Sequence, residues 1–262
     1  MIGVTGELGR LVASELAPRA DAEVRAFVRR PLQADAPAVD EVVVGDLRDG
    51  ASLRDACDGV TSMFLLSSPT QDQVELETNA IEAAEQTGVT RIVKVSNIPI
   101  AGLETGLHGN HRAIERRLAE SSCSAVILQP SFFSSVIDKQ SEVVAHGSVV
   151  LPTGAGRIAW IEPSDIAAVG AAALMRDDLD GPLHLTGPEA LDGDEVAARL
   201  GVKRIDLPLG RWRETVVAAG LDPWLADSSV HLFEAVARGA LGQTTDTVER
   251  VLGRKPHRVF VN

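Results

Sequence analysis

Gly3-Val4-Thr5-Gly6-Glu7-Leu8-Gly9 spaces three glycines as G-x-x-G-x-x-G. In a loop that opens a helix, each glycine has a distinct job. The first permits a tight turn, the second lets backbone approach a pyrophosphate, and the third lets the helix pack on a strand. The helix N-terminus then offers free N–H groups and a positive dipole end to phosphates. Three glycines can simply make a turn, in a chain with 23 of them. Their place at the head of a run of βα units favours the phosphate reading, with Gly3, Thr5, Gly6, Glu7, Leu8 and Gly9 as cofactor-binding residues.

The residues that would choose the dinucleotide stand at the end of the next strand. NAD-binding chains place Asp or Glu about 20 residues past the loop, to hold the ribose hydroxyls. Here Arg29 and Arg30 stand 20 and 21 positions after Gly9. A guanidinium there suits the 2′-phosphate of NADP(H), so NADP(H) is expected over NAD(H), against the plain alternative of a solvated basic turn. Asp46, beside Leu47, is placed to accept from an adenine amino group, or to serve as a turn or N-cap residue. Leu66, Ser67 and Ser68, and Pro130, Ser131 and Phe132, lie at strand ends and are expected to line the cofactor cleft. Phe132 and Phe133 read equally well as core aromatics.

The chain has no tyrosine, which excludes any phenol as proton donor. His111 is the best remaining proton source, since imidazole titrates near neutrality. Its alternative is an exposed helix residue paired with Glu115 at i+4. Ser96 follows a strand from which its hydroxyl could reach a nicotinamide or a substrate, or could cap the next turn. His108, His111 and Glu115 do not make a metal site, because His108 reads as lying outside the helix and no further ligand is indicated. G-x-S-x-G and G-K-[ST] patterns are missing, which removes hydrolase and P-loop readings.

These residues must be held by elements that alternate short β-branched runs with helical patterns, the signature of parallel βαβ units. Strands are expected over 23–28, 42–44 (buried), 62–66, 91–95, 125–128 and 182–186. Helices are expected over 10–18, 52–58, 73–87 with Gly88 as C-cap, 110–121, 164–175 and 194–200, with 213–237 mostly helical. The fold class is α/β: a Rossmann-type doubly wound parallel sheet with a smaller, mainly helical C-terminal substrate lobe. Residues 1–150 are read as the NAD(P)-binding domain and 151–262 as the substrate lobe, with 163–187 packing back on the sheet. Only Met1 and Ile2 precede Gly3, where a central strand of about five residues should stand. The first strand therefore reads as truncated, with its start expected upstream.

Composition narrows the class further. The chain has 262 residues, with Lys+Arg at 25 against Asp+Glu at 37, a net charge of −12. That balance argues against a nucleic-acid partner. The longest apolar run, Ile166 to Met175, is about half the ~20 residues a membrane span needs. Cys57 and Cys123, 66 positions apart, suggest neither disulfide nor zinc site. With no leader-like segment ahead of the loop, a reducing cytoplasm is the expected compartment.

The ordered set Gly3–Gly9, Val28-Arg29-Arg30-Pro31, Gly45-Asp46-Leu47, Val93-Lys94-Val95-Ser96, His111-Arg112-Ala113-Ile114-Glu115, Leu128-Gln129-Pro130-Ser131-Phe132-Phe133, Ser164-Asp165-Ile166-Ala167 and Leu185-Thr186-Gly187-Pro188-Glu189 resembles the NmrA-like atypical short-chain dehydrogenases/reductases. The likeness is greatest to their NAD(P)H:quinone oxidoreductase-like members. The chain departs from the pattern at Gln129, where Arg commonly precedes the proline, and in lacking the Tyr-x-x-x-Lys pair. The resemblance implies an NADP-binding sheet with the cofactor across its C-terminal edge and a substrate cleft under the small lobe, but not one reaction. The expected activity is that of a reductase passing hydride from NADPH to a quinone or similar small electrophile, as a monomer or homodimer. Two rival readings stay open: an NADP(H)-sensing regulator without turnover, and an NADP-dependent epimerase or isomerase.

Overall fold

The computed structural model describes residues 1–33 and 36–261. In chain order the first elements are α1 (Glu7–Leu16), β1 (Arg25–Val28), β2 (Glu41–Val44), α2 (Gly50–Cys57), β3 (Ser62–Leu65), α3 (Gln73–Thr87), β4 (Arg91–Val95), α4 (Gly106–Ala119) and β5 (Ser124–Pro130). There follow α5 (Ser141–Ala145), β6 (Ser148–Val150), α6 (Pro163–Met175), β7 (Gly181–Leu185), α7 (Gly193–Leu200), β8 (Lys203–Ile205), α8 (Leu209–Ala218), α9 (Pro223–Ala237) and α10 (Thr247–Leu252). The chain forms two compact units and crosses between them repeatedly. One holds residues 1–96, 110–129 and 163–183; the other holds 97–109, 130–162 and 184–262.

The first unit is built on a parallel sheet in the order β3-β4-β5-β7, beside a parallel β1–β2 pair. Met1 and Ile2 join the two. The Ile2 N–H donates to Phe64 O at 2.9 Å, and the Phe27 N–H donates to Met1 O at 3.0 Å. Strands β3 and β4 are buried almost throughout because they are covered on both faces. Ile2, Phe27, Leu65, Ile81, Ile92 and Ile114 belong to the core between sheet and helices. Helix α3 ends at Gly88, whose φ of +83° is the left-handed cap the sequence suggests. Helix α6 packs on α1 and on the sheet.

Strand β2 corrects one expectation. Its three valines read as a buried strand, yet Val42 and Val44 are 41% and 51% exposed. Among the described residues β2 has a single strand neighbour, β1, so it is an edge: Val43 packs against the core while Val42 and Val44 lack cover. The second unit has its own core around Trp160, Val149, Leu151, Ile158, Leu191 and Val196. Its parallel β6–β8 pair and helix α10 carried no clear periodic signal. The 213–237 pattern divides into α8 and α9, with Gly220 at φ +97° between them.

A cleft of about 670 Å³, lined among others by Leu16, Val24, Arg25, Leu53, Ala56 and Met63, opens beside Met1. The Met1 α-amino group is buried and donates to Arg25 O. Burial lowers its pKa from 8.0 to about 6, opposed by Cys57 and reinforced by Arg25. An unfolded chain keeps the ordinary value, so unfolding takes up a proton between pH 6 and 8. Stability of the 262-residue chain is therefore expected to rise with pH across that window, by about 2 kcal/mol, and to level off above it. An extension of about five β-forming residues ahead of Met1 turns the amine into an amide, which removes the buried titrating group. It is expected to raise the melting temperature and remove the amine's part of the pH slope. Melting both chains at pH 6 and pH 8 is the check; equal midpoints and equal slopes would overturn it.

Candidate active site

The glycine loop is a turn built by close approach. Gly3 adopts φ +88°, and a Cβ there would lie 2.3 Å from Leu66 O, at the end of β3. The Gly6 N–H closes the turn on Gly3 O at 3.1 Å. A Cβ on Gly9 would lie 2.1 Å from Gly3 O and 2.8 Å from Val4 Cα, so only glycine lets α1 start this close to the turn. Gly6 differs. Its φ of −79° is open to any residue, and a Cβ there would meet only Gly3 O, at 3.5 Å. It caps α1 without a side chain, which leaves the first-turn N–H groups of the helix to an incoming anion. Thr5, Gly6 and Glu7 are exposed, while Leu8 turns its side chain into the core.

Beside this turn lies a cleft of about 530 Å³, within the first unit. Gly3, Thr5, Arg29, Arg30, Asp46, Leu47, Leu66, Ser67 and Ser68 line it, brought together by the ends of β1, β2 and β3. Arg10 and Arg48 line it too, and sequence reasoning missed both. Four arginines against two aspartates make a cationic cleft in a chain of net charge −12. Arg10 Nε donates to Thr5 O at 3.2 Å, so the first turn of α1 braces the glycine loop. Asp46 accepts from the Arg48 N–H at 2.9 Å, which is the turn role foreseen for it, and Arg48 pairs with Asp72. The Thr70 hydroxyl and Arg48 together hold the Asp72 carboxyl below its ordinary range.

A second cluster gathers around Glu115. The Ser96 hydroxyl donates to Glu115 Oε1 at 2.5 Å, and Gln129 Nε2 donates to the same oxygen at 2.9 Å. Arg112 lies 2.8 Å from that oxygen and donates to Ser96 Oγ at 2.9 Å. Burial pushes the Arg112 guanidinium down, with Glu115 opposing. The Ser96 proton is thus directed at a carboxylate, and Ser96 caps no turn through it. His111 is buried at 7% exposure, against the alternative in which it is an exposed helix residue. His108 also lies inside α4, not outside it, and its Nδ1 is 2.7 Å from Asn97 Nδ2.

Residues 3–177 match the family described as NAD(P)H-binding. The chain belongs to that family. It is 30% identical to the NAD(P)H azoreductase of Xenophilus azovorans, over 99% of this chain and 94% of that protein. Quinone oxidoreductase 2 of Escherichia coli is 27% identical, over 96% and 92%. The structure of the NADPH-dependent quinone oxidoreductase of Escherichia coli complexed with NADPH superposes with a TM-score of 0.86, at 26% identity, covering 98% of this chain and 95% of that one. The resemblance drawn from the motifs therefore holds, and the sheet is a Rossmann-type NAD(P)-binding sheet.

An NAD(P)H dinucleotide fits the residues present: an open Gly6, an uncapped helix start and a cleft rich in arginine. Pro130, Ser131 and Phe132 belong to the second unit. There the Pro130 carbonyl accepts from the Ile98 N–H and the Ser131 N–H donates to Leu185 O. Phe132 packs edge-on to Trp160 with ring centroids 5.1 Å apart, the core role weighed for it. Among the described residues no set of His, Cys, Asp and Glu side chains is placed to hold a metal ion, and no helix is long and apolar enough to cross a membrane.

Proposed function

We propose that this chain is an NADPH-dependent reductase that delivers hydride to a quinone or a similarly electron-poor small acceptor. The observation that carries the reading is the open glycine turn beside an arginine-lined cleft, in a chain akin to quinone and azo reductases. Gly3, Gly6 and the α1 N-terminus would hold the pyrophosphate, and Arg29 and Arg30 the 2′-phosphate. Ser67 and Ser68 would wall the cleft at the end of β3. Bound NADPH supplies the hydride. The substrate would be a small molecule, and the reaction needs one proton besides the hydride to reach the hydroquinone.

A quinone demands little acid catalysis, since the charge left by hydride spreads over an aromatic phenolate that water can protonate. Orientation then supplies much of the rate. That suits a chain without tyrosine whose Ser96 proton already serves Glu115. His111, on the same helix face as Glu115, is the proposed proton donor. His111→Ala is expected to lower turnover with a quinone about tenfold to a hundredfold, the lower end of what a positioned acid contributes. The test follows NADPH oxidation with a panel of quinones and an azo dye, using the wild-type chain and this variant. Tight NADPH binding without turnover on any acceptor would replace the enzyme by an NADP(H)-sensing protein. Unchanged turnover in His111→Ala would remove the histidine from the chemistry.

A further inference from the structure

Strand β4 carries one charged side chain where no water reaches. Lys94 is fully buried, flanked across the sheet by Leu65 and Ile127. Its Nζ lies 3.0 Å from Oε2 and 3.2 Å from Oε1 of Glu77, itself fully buried on α3, and also donates to the Val95 carbonyl. Glu77 Oε1 has three further donors: Ser67 Oγ at 2.8 Å, Ser67 N–H at 3.3 Å and Gln73 Nε2 at 3.2 Å. A buried ion pair is a poor source of stability, because desolvating both charges offsets most of their attraction, and apolar replacements of similar size are often no worse. What an apolar pair cannot do here is grip Ser67.

Ser67 is the residue at which the chain leaves β3 and lines the arginine-rich cleft. Its hydroxyl and its N–H both point back to Glu77, so that carboxylate sets the path of the cleft wall. We propose that Glu77 and Lys94 are positioning residues for the cofactor: Glu77 anchors Ser67 by side chain and backbone, and Lys94 pairs with Glu77 and holds it aimed at Ser67 in the dry interior. A carboxylate accepts more strongly than a neutral group, which explains a charge at this depth. The inference rests on NADP(H) occupying this cleft, and its test separates the two.

The test measures melting temperature without cofactor and NADPH affinity by calorimetry, for wild type, Lys94→Met, Lys94→Met with Glu77→Met, Ser67→Ala, and the triple combination. Lys94→Met alone leaves a buried, unpaired carboxylate and is expected to melt far below wild type. The double variant is expected to regain most of that loss yet bind NADPH about tenfold more weakly, since Ser67 has lost its anchor. Ser67→Ala, which leaves the ion pair intact, is expected to weaken binding by a similar factor. In the triple variant Ser67→Ala is expected to add nothing, because its effect runs through Glu77. If the double variant recovers affinity together with stability, the pair is merely structural and the proposal fails. Independent, additive losses from Ser67→Ala and the double variant would overturn it as well. A wild-type chain that does not bind NADPH would instead overturn the cofactor assignment.

Discussion

Gly6→Val is expected to abolish measurable NADPH binding and turnover while the chain stays folded. The two halves of that expectation have separate physical grounds. Gly6 sits at φ −79° and ψ 167°, a conformation valine adopts readily, and a Cβ there meets nothing closer than Gly3 O at 3.5 Å. The folded state loses only what a poor N-cap costs, about 1 kcal/mol. The branched side chain, however, projects into the open side of the turn, where phosphate oxygens must approach the N-terminus of α1, which no side chain caps. Gly9→Ala provides the contrast. Its methyl would lie 2.1 Å from Gly3 O, so the turn itself must move and melting should fall steeply. Calorimetry with NADPH and thermal melting of both variants decide the matter. Near-normal NADPH affinity in Gly6→Val would remove the glycine turn from the phosphate site.

Sequence patterns were most legible where one residue type has one local explanation. Helix α3 and its Gly88 cap follow from an apolar stripe ending in glycine, and β4 from a run too apolar and β-branched for a surface. Strand β2 shows the limit: three valines announce a strand, but whether anything covers them depends on neighbours far away in sequence. The start of α4 was misplaced for a related reason. The sequence pattern predicts a helix over 110–121 with His108 outside it, beside Gly106 and Gly109; a Cβ at Gly106 would lie 2.3 Å from Ser228 Oγ, and one at Gly109 would lie 2.5 Å from Glu104 O. Gly106 starts the helix at φ +58°, a conformation that favours glycine, and Gly109 is glycine because Glu104 O comes close, so α4 begins before His108 and carries it inside. At the cofactor cleft the glycine turn, Arg29, Arg30 and the serines after β3 could be found from spacing. Arg10 and Arg48 could not, since an arginine on a helix or in a turn is ordinary until the fold aims it at a common point. Glu77 and Lys94 did leave a trace: a lysine between two valines of a buried strand, and an acid on the buried face of a helix. Only the sheet brings those two positions together.

Replacing both Arg29 and Arg30 by alanine is expected to weaken NADPH binding by about 1–3 kcal/mol, roughly fivefold to over a hundredfold, while NADH binding barely changes. Both side chains are exposed at the mouth of the cleft, just past the end of β1. Solvent screens charges placed there, which favours the lower half of that range. Arg10 and Arg48 remain in the double variant and continue to make the cleft cationic, so its general attraction for anions survives. What is removed is charge-assisted bonding to a phosphate that NADH lacks. The salt dependence follows from the same argument: raising ionic strength should weaken NADPH binding to wild type more than to the variant. Titrating both cofactors at two salt concentrations tests this. An equal loss for NADPH and NADH would mean that the arginines serve the pyrophosphate or the fold. No loss for either would leave them as a solvated turn, and cofactor choice would then rest with Arg10 and Arg48.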